Sequence, residues 1–408
     1  MTMSDTVVAT SPKLMVLAGE ASGDAHGAEL ISALRRAQPG ARIIGCGGPQ
    51  MRAAGQEQLF DLSRHAVFGL AEVVWKYLEF RGMFQRLIDY AVAEKPDVII
   101  YIDNSGFNLR LAEALRPQLP GTKFVYYISP QVWASRSKRV NGMARDFNLV
   151  LSIFPFEKEW YAKRAPGLRV EWVGHPLLDR LNVEALGQTQ EGRIAVMPGS
   201  RAAEVERHLP VFWEAAQLMA ARRSGLQFVF ILPNGERHRQ VAEWIAQQPP
   251  PSFSYEIYHH YPLSHLNRCE LALVKSGTAS LDCAFAGVPP VVVYRLNPVT
   301  YEVARRMVKV KHVSMVNLLA ARPPIVPELI QDQCTPQNIA QTALELLKDE
   351  RKRKQIKAGM AEVIGTLGGP GASERAAAAI LELLGTVEIS RQDAKTQNGL
   401  EAKAPAAD

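Results

Sequence analysis

The sequence predicts an α/β chain of two doubly wound, Rossmann-like domains, each a parallel sheet covered by helices, the pair facing a cleft. Three observations carry this. The chain has 408 residues, too many for one ordinary core and enough for two domains of about 150 to 200 residues. Short apolar runs alternate with helical patterns, the mark of strands buried on both faces of a parallel sheet. Near Ile194 the pattern starts afresh, with a strand and a glycine turn, as it does at Leu14.

In the first domain, residues 1–181, strands are expected at 14–18, 43–45, 97–102, 123–128, 149–154 and 170–173. Their β-branched and aromatic residues suit a buried pleated surface. A helix is expected at 24–37. A second helical pattern covers 68–93, where Leu70, Val73, Val74, Tyr77, Phe84, Leu87, Ile88 and Ala91 share one face. Residues 182–193, with Gly187, Gln188 and Gln190, read as a linker. The second domain, 190–365, should place strands at 194–197, 228–232, 255–258, 271–274 and 290–294. A final Ala/Leu-rich helix at about 370–385 is open to packing on the first domain, and the polar tail 386–408 is expected to be disordered.

Composition narrows the class. A chain 47% hydrophobic and 22% charged is globular, which excludes disordered and collagen-like proteins. Lys plus Arg exceeds Asp plus Glu by 47 − 41 = +6, a mild excess compatible with anionic lipid, phosphorylated small molecules or nucleic acid. No stretch free of charge exceeds 12 residues, short of the ~20 a membrane helix needs. The acid-containing start and brief apolar run at 14–18 do not make a signal peptide, so a cytoplasmic location is expected. Cys46, Cys269, Cys283 and Cys334 form no CxxC pair and are expected to be buried small hydrophobes rather than disulfides or zinc ligands.

Five constellations sit where strands give way to helices. After the first strand comes AGEASGDAHG (18–27), with Glu20, Ser22, Gly23 and Asp24; its spacing is neither GxGxxG nor a P-loop. It reads either as a ligand loop or as a turn for strand-to-helix packing, and GCGGP (45–49) carries the same ambiguity. MPGSR (197–201) is a strand, turn and helix start, where Gly199, Ser200 and Arg201 could bind an anion or Ser200 could simply cap the helix. KSGTASLD (275–282) offers Ser276, Gly277, Thr278 and Ala279 to a diphosphate and Asp282 to ribose hydroxyls. Two such helix starts in one domain suggest a nucleotide diphosphate. YIDNSGFN (101–108) puts Asp103 at the end of an apolar strand, a candidate general base or a turn former, with Asn108 close by. SPQVWASR (129–136), followed by Lys138 and Arg139, could shape a sugar or lipid-phosphate pocket through Ser129, Gln131, Trp133 and Arg136, or Trp133 could only pack. On the 68–93 helix, Trp75, Met83 and Tyr90 fall off the core stripe beside Lys76 and Arg86. Apolar groups among cations suit a membrane surface, and ordinary surface aromatics explain them equally.

The ordered set AGEASGD, GCGGPQM, YISPQVWA, FPFEK, VGHP, MPGSR with Glu204, SGTASLD and VPELIQD closely resembles the lipid-A-disaccharide synthase family, inverting glycosyltransferases of GT-B architecture, over about 14–384. The resemblance implies transfer of 2,3-diacylglucosamine from its UDP conjugate to the 6-hydroxyl of 2,3-diacylglucosamine 1-phosphate (lipid X). The products are a β-1,6 disaccharide 1-phosphate and UDP, made at the inner face of the inner membrane by a peripheral, possible homodimeric, protein. Residue by residue it places the family's essential Asp on Asp103, its PGSR arginine on Arg201 and its UDP-phosphate helix start on 276–279. The sequence departs from the family's pattern at Asn104-Ser-Gly, Asp282, Ser135 and Val316. No cofactor is expected, and no DXD-type metal motif lies near the phosphate loops. Competing readings are another UDP-sugar transferase or 2-epimerase and an inactive nucleotide-sugar-binding protein. Nucleic acid is not expected, since no recognised module appears.

Overall fold

The computed structural model describes residues 11–62, 73–180, 187–259, 263–297, 301–302, 310, 312–320 and 323–385. The expected tail at 386–408, the linker residues 182–186 and the first turn of the 68–93 pattern lie outside them.

Two parallel sheets organise the chain. The first contains β1 (Lys13–Ala18), β2 (Arg42–Gly47), β3 (Glu57–Asp61), β4 (Val98–Ile102), β5 (Lys123–Tyr127), β6 (Leu149–Ser152) and β7 (Val170–Trp172), in spatial order 3-2-1-4-5-6-7. The second contains β8 (Arg193–Met197), β9 (Gln227–Leu232), β10 (Ser254–His259), β11 (Leu271–Lys275), β12 (Pro290–Tyr294) and β13 (Glu328–Ile330), in order 10-9-8-11-12-13. The central strands β1, β4, β8 and β11 are the apolar runs of the sequence, and from Leu14 to Ala18 and Val98 to Ile102 every residue is fully buried. Strands β3 and β13 were not among the expected ones. They lie at sheet edges, where half-exposed positions carry Glu57, Gln58 and Glu328 and no apolar run forms.

Close packing explains the first glycine clusters. Gly45 has φ +136° and a Cβ there would lie 2.2 Å from the Val16 carbonyl oxygen, so only glycine lets β2 lie against β1. At Gly23 a Cβ would meet that of Ala18 at 3.3 Å, where helix Ala21–Ala37 crosses the end of β1.

Residue contacts divide the chain into two compact units, Met1–Asp179 with Gly369–Asp408, and Arg180–Gly368. The helix Ala372–Leu383 packs on helix Ala21–Ala37 in the first unit. Asp179 receives the returning chain. Its Oδ1 accepts the amides of Gly371 and Ala372 at 2.6 and 3.1 Å, and its Oδ2 that of Ser373 at 2.9 Å. Arg375 donates to the Val173 carbonyl at 2.8 Å, and Arg36 pairs with Glu374.

Three orphan amides at a helix start are thus satisfied by one carboxylate. Asp179→Ala is expected to cost about 1–2 kcal/mol and to speed amide hydrogen exchange in 372–383 before the rest of the first unit. Exchange there unchanged by the substitution would show that packing alone holds the helix.

Candidate active site

In each sheet the strand order reverses once, between β1 and β4 in the first and between β8 and β11 in the second. At such a point the loops leaving two adjacent strands run to opposite faces, and the crevice between them is where open α/β sheets bind ligands. Four of the five sequence constellations are the loops after these four strands. The fifth follows β5, next to β4.

Asp103 directly follows β4 in a left-handed conformation, φ +48°, and Asn104 comes next at φ +37°. After the adjoining strand, Ile128 directly follows β5 at φ +62°, a region a β-branched side chain rarely enters. Strain of this kind costs of order 1–3 kcal/mol per residue and persists only where the surroundings enforce it. Here the Asp103 amide donates to the Tyr127 carbonyl at 3.2 Å and the Ile128 amide to that of Leu151 at 3.1 Å. The Asp103 carbonyl accepts the Tyr126 hydroxyl and the Asn108 amide, the latter at 2.8 Å. Asn108 also donates to the Ile102 carbonyl at 3.0 Å and is 1% exposed. Gly19 clears space for this turn, since a Cβ there would fall 2.4 Å from the Asn104 side-chain nitrogen. The Asp103 carboxylate is carried half-buried on a backbone with little freedom to move.

The other residues expected in an acceptor pocket divide by where their polar atoms point. Asn108 is a positioning residue for the turn, as just described. Asp24 is buried and spends both oxygens on the GCGGP loop, accepting the amides of Gly48 (2.8 Å), Met51 (3.0 Å) and Gln50 (3.0 Å). The Ser129 hydroxyl is buried against that of Tyr161 at 2.8 Å. Gly23 serves close packing. Glu20 is half-buried at the start of its helix, while Ser22, Gln131 and Arg136 are exposed, Arg136 with φ +56°. Trp133 is half-buried, and its indole donates to Glu157 at 3.0 Å.

Glu157 is a residue that the sequence reading did not single out. It is fully buried in helix Pro155–Ala162, and burial pushes its carboxyl up to about 8 against the opposing hydrogen bonds from Trp133, Phe154 and Ile153. A Pro at the first helical position and a Glu two residues later was the available signal, in the FPFEK motif.

In the second unit, β8 pairs with β11 and brings MPGSR beside KSGTA. Glu204, in the first turn of helix Ala202–Arg222, joins them. Its Oε1 accepts Lys275 Nζ at 2.8 Å and its Oε2 the amides of Ser200 and Arg201 at 3.1 and 3.3 Å. Burial raises the Glu204 carboxyl, but Lys275, the Ser200 amide and Arg201 outweigh it and hold it below its ordinary value. The amides of Ser200 and Arg201 expected to meet an anion are therefore taken, and this turn presents the Arg201 guanidinium, 64% exposed and 3.8 Å from Glu204. Gly199, φ +140°, must be glycine because a Cβ would meet the Glu204 Cβ at 2.6 Å.

The neighbouring loop differs from expectation in one hydroxyl. Ser276 donates to the Val313 carbonyl at 2.5 Å and so ties the loop to the chain near Ser314. Gly277 has φ +148°, Thr278 is exposed, and Ala279 and Asp282 are half-buried. Below them His208 is buried and neutral, since burial drives it down to about 4. Its Nε2 accepts the Arg295 amide at 3.2 Å, which leaves Nδ1–H to donate to the Glu204 carbonyl at 2.8 Å.

The membrane candidates lie on helix Val73–Glu94, where Leu87, Ile88 and Ala91 are buried as the stripe requires. Tyr90, expected off the stripe, packs partly against the core. Met83 is half-buried, and exposed Arg86 sits over the Phe60 ring at 5.6 Å. The side chains of Trp75 and Lys76 lie outside the described residues. Among those described, no helix is long and apolar enough to cross a membrane. The four cysteines are buried and free.

Comparison with known proteins places this geometry. A family model described as lipid-A-disaccharide synthetase matches residues 14–382. A lipid-A-disaccharide synthase of Geobacter metallireducens is 36% identical over 386 residues, 92% of this chain and 98% of that protein. One from Pseudomonas savastanoi pv. phaseolicola is 39% identical over 381 residues, covering 91% and 97%. Among solved structures, the UDP-GlcNAc 2-epimerase of Neisseria meningitidis bound to UDP-GlcNAc superposes with a TM-score of 0.62 at 13% identity, covering 91% of this chain and 100% of that one. The calicheamicin glycosyltransferase CalG4 does so with a TM-score of 0.58 at 18% identity, covering 92% and 99%. These two likenesses establish the fold.

The Glu157 carboxyl, ordinarily near 4.5, is raised in the folded chain, so its contribution is complete below pH 4.5 and is lost as pH rises through about 8. Stability of the first unit should fall by roughly 3–5 kcal/mol over that window, and Glu157→Gln should remove the slope. Urea unfolding at pH 5 and pH 8 measures it. Equal slopes in both proteins would mean that Glu157 titrates normally.

Proposed function

Because the chain belongs to the lipid-A-disaccharide synthase family, and so is a glycosyltransferase of lipid A biosynthesis, we propose that its two units divide the reaction. The second unit takes the donor, UDP-2,3-diacylglucosamine, at the turn between β8 and β11. The first takes the acceptor, 2,3-diacylglucosamine 1-phosphate (lipid X), at the turn between β1 and β4.

In this reading the Asp103 carboxylate accepts the proton of the acceptor 6-hydroxyl as that oxygen attacks the anomeric carbon. The bond from that carbon to the diphosphate breaks in the same displacement. Attack opposite the leaving group inverts the centre and gives a β-1,6 linkage with no covalent enzyme intermediate. Negative charge then grows on UDP, and in this reading Arg201, Lys275 and the 277–279 turn that opens helix Ala279–Phe285 stabilise it. Asp282, one turn into helix Ala279–Phe285, is placed for the ribose hydroxyls.

The observation that carries the reading is the Asp103 turn. A carboxylate at a strand end, on two consecutive left-handed residues held by buried Asn108 and Tyr126, is costly as structure and useful as a positioned base. Acylated substrates further favour a protein that works at the inner face of the inner membrane. The exposed Arg86 and the net charge of +6 suit contact with anionic lipid there.

Asp103→Asn should lower turnover by roughly 10²- to 10⁴-fold while the far-UV spectrum and unfolding midpoint stay unchanged. Turnover near that of the unsubstituted enzyme would remove Asp103 from the role of base.

A further inference from the structure

Two of the three exposed large hydrophobic side chains among the described residues, Phe156 and Trp172, lie at the carboxyl edge of the first sheet, just beyond β6 and at the end of β7. Phe156 belongs to a built arrangement. Trp133 meets it edge-on with ring centroids 4.9 Å apart, and Phe154 stacks on it at 6.0 Å with 11° between the planes. Beneath them is Glu157, whose Oε1 holds the Trp133 indole and whose Oε2 accepts the Phe154 amide at 3.3 Å. Packing alone does not call for a carboxyl in a fully buried position, where desolvation works against it. A carboxyl there fixes the plane of one half-buried ring against an exposed one.

The surroundings are cationic. Arg136 and Lys138 are exposed on the same loop, and Arg139 begins the next helix. Burial, with Arg136 and Arg110 nearby, lowers the Arg139 guanidinium from its ordinary value. The loop is also joined to the Asp103 turn. Its first residue, Ser129, bonds Tyr161 at 2.8 Å, and Tyr126 of the same strand bonds the Asp103 carbonyl.

We propose that Phe156 and Trp133, backed by buried Phe154, form an apolar shelf for an acyl chain of the acceptor, with Glu157 as the positioning residue of Trp133 and the 136–139 cations taking the acceptor phosphate. The inference rests on the reading of the first unit as the acceptor's, and it adds the part of the acceptor that is recognised. An apolar shelf whose Trp133 shares a loop with Arg136 and Lys138 matches an anionic acyl amphiphile, in which chain and phosphate lie on one molecule.

The test is the ratio of kcat/KM for a long-chain acceptor over a short-chain acceptor, with Phe156→Ser as the first variant because its side chain is exposed. Loss of about one aromatic contact should lower that ratio roughly 5- to 20-fold. Glu157→Ala should lower it in the same direction through KM rather than kcat, and Glu157→Gln, which keeps an acceptor for the indole N–H, should restore it. A ratio unmoved by Phe156→Ser overturns the shelf. So does weakened binding to phosphatidylglycerol vesicles with the ratio unchanged, which would assign these rings to the bilayer. If Asp103→Asn is inactive while the ratio is unmoved, only the shelf fails; if Asp103→Asn retains turnover, the acceptor-side reading fails first.

Discussion

The reversal of strand order in each parallel sheet is the constraint on which the rest depends. Where the order turns, at β1 and β4 and again at β8 and β11, the chain leaves adjacent strands toward opposite faces and opens a crevice at their carboxyl ends. The backbone itself then forms the walls of each crevice, and glycines stand where it comes closest to a side chain. Gly19 gives way to the Asn104 side chain, and Gly199 to Glu204. A side chain at either would push a loop into the gap.

Each gap is lined at a cost that the surrounding structure offsets. In the first sheet the cost is conformational: Asp103, Asn104 and Ile128 hold positive φ, and the bonds from Tyr126, Asn108 and the neighbouring strands keep them there. In the second it is electrostatic. A carboxylate and an ammonium, each 16% exposed, face one another at 2.8 Å across the two turns, and neutral His208 underpins the pair. A pair this buried contributes little net stability, but removing either partner strands the other, so the spacing of the two turns is well determined. Arg201, by contrast, is 64% exposed, with its guanidinium 3.8 Å from the same Glu204 carboxylate.

Much of the fold was legible because central parallel strands are buried on both faces and leave continuous apolar runs. The strands that escaped notice, β3 and β13, are at edges where one side is wet and Glu or Gln is tolerated. Asp103 and Arg201 stand directly after β4 and just after β8, as their place behind an apolar run implies. What sequence could not resolve was the direction of short polar side chains. Asp24 and Asn108 in the first helical turns after β1 and β4, and Ser129 and Ser276 just after β5 and β11, each bond their own fold, because capping a turn and binding a ligand use the same donors and acceptors. Glu157 and the Glu204–Lys275 pair depend on contacts between residues 24 and 71 positions apart, which no local pattern records.

Hydrogen exchange with and without saturating UDP tests the central claim, that the order reversal between β8 and β11 is the nucleotide's place. Amides in 199–204 and 276–282 should exchange more slowly when UDP is bound, while those after the edge strands β10 and β13 are unchanged. Protection confined to the edge strands, or absent from both turns, would contradict it.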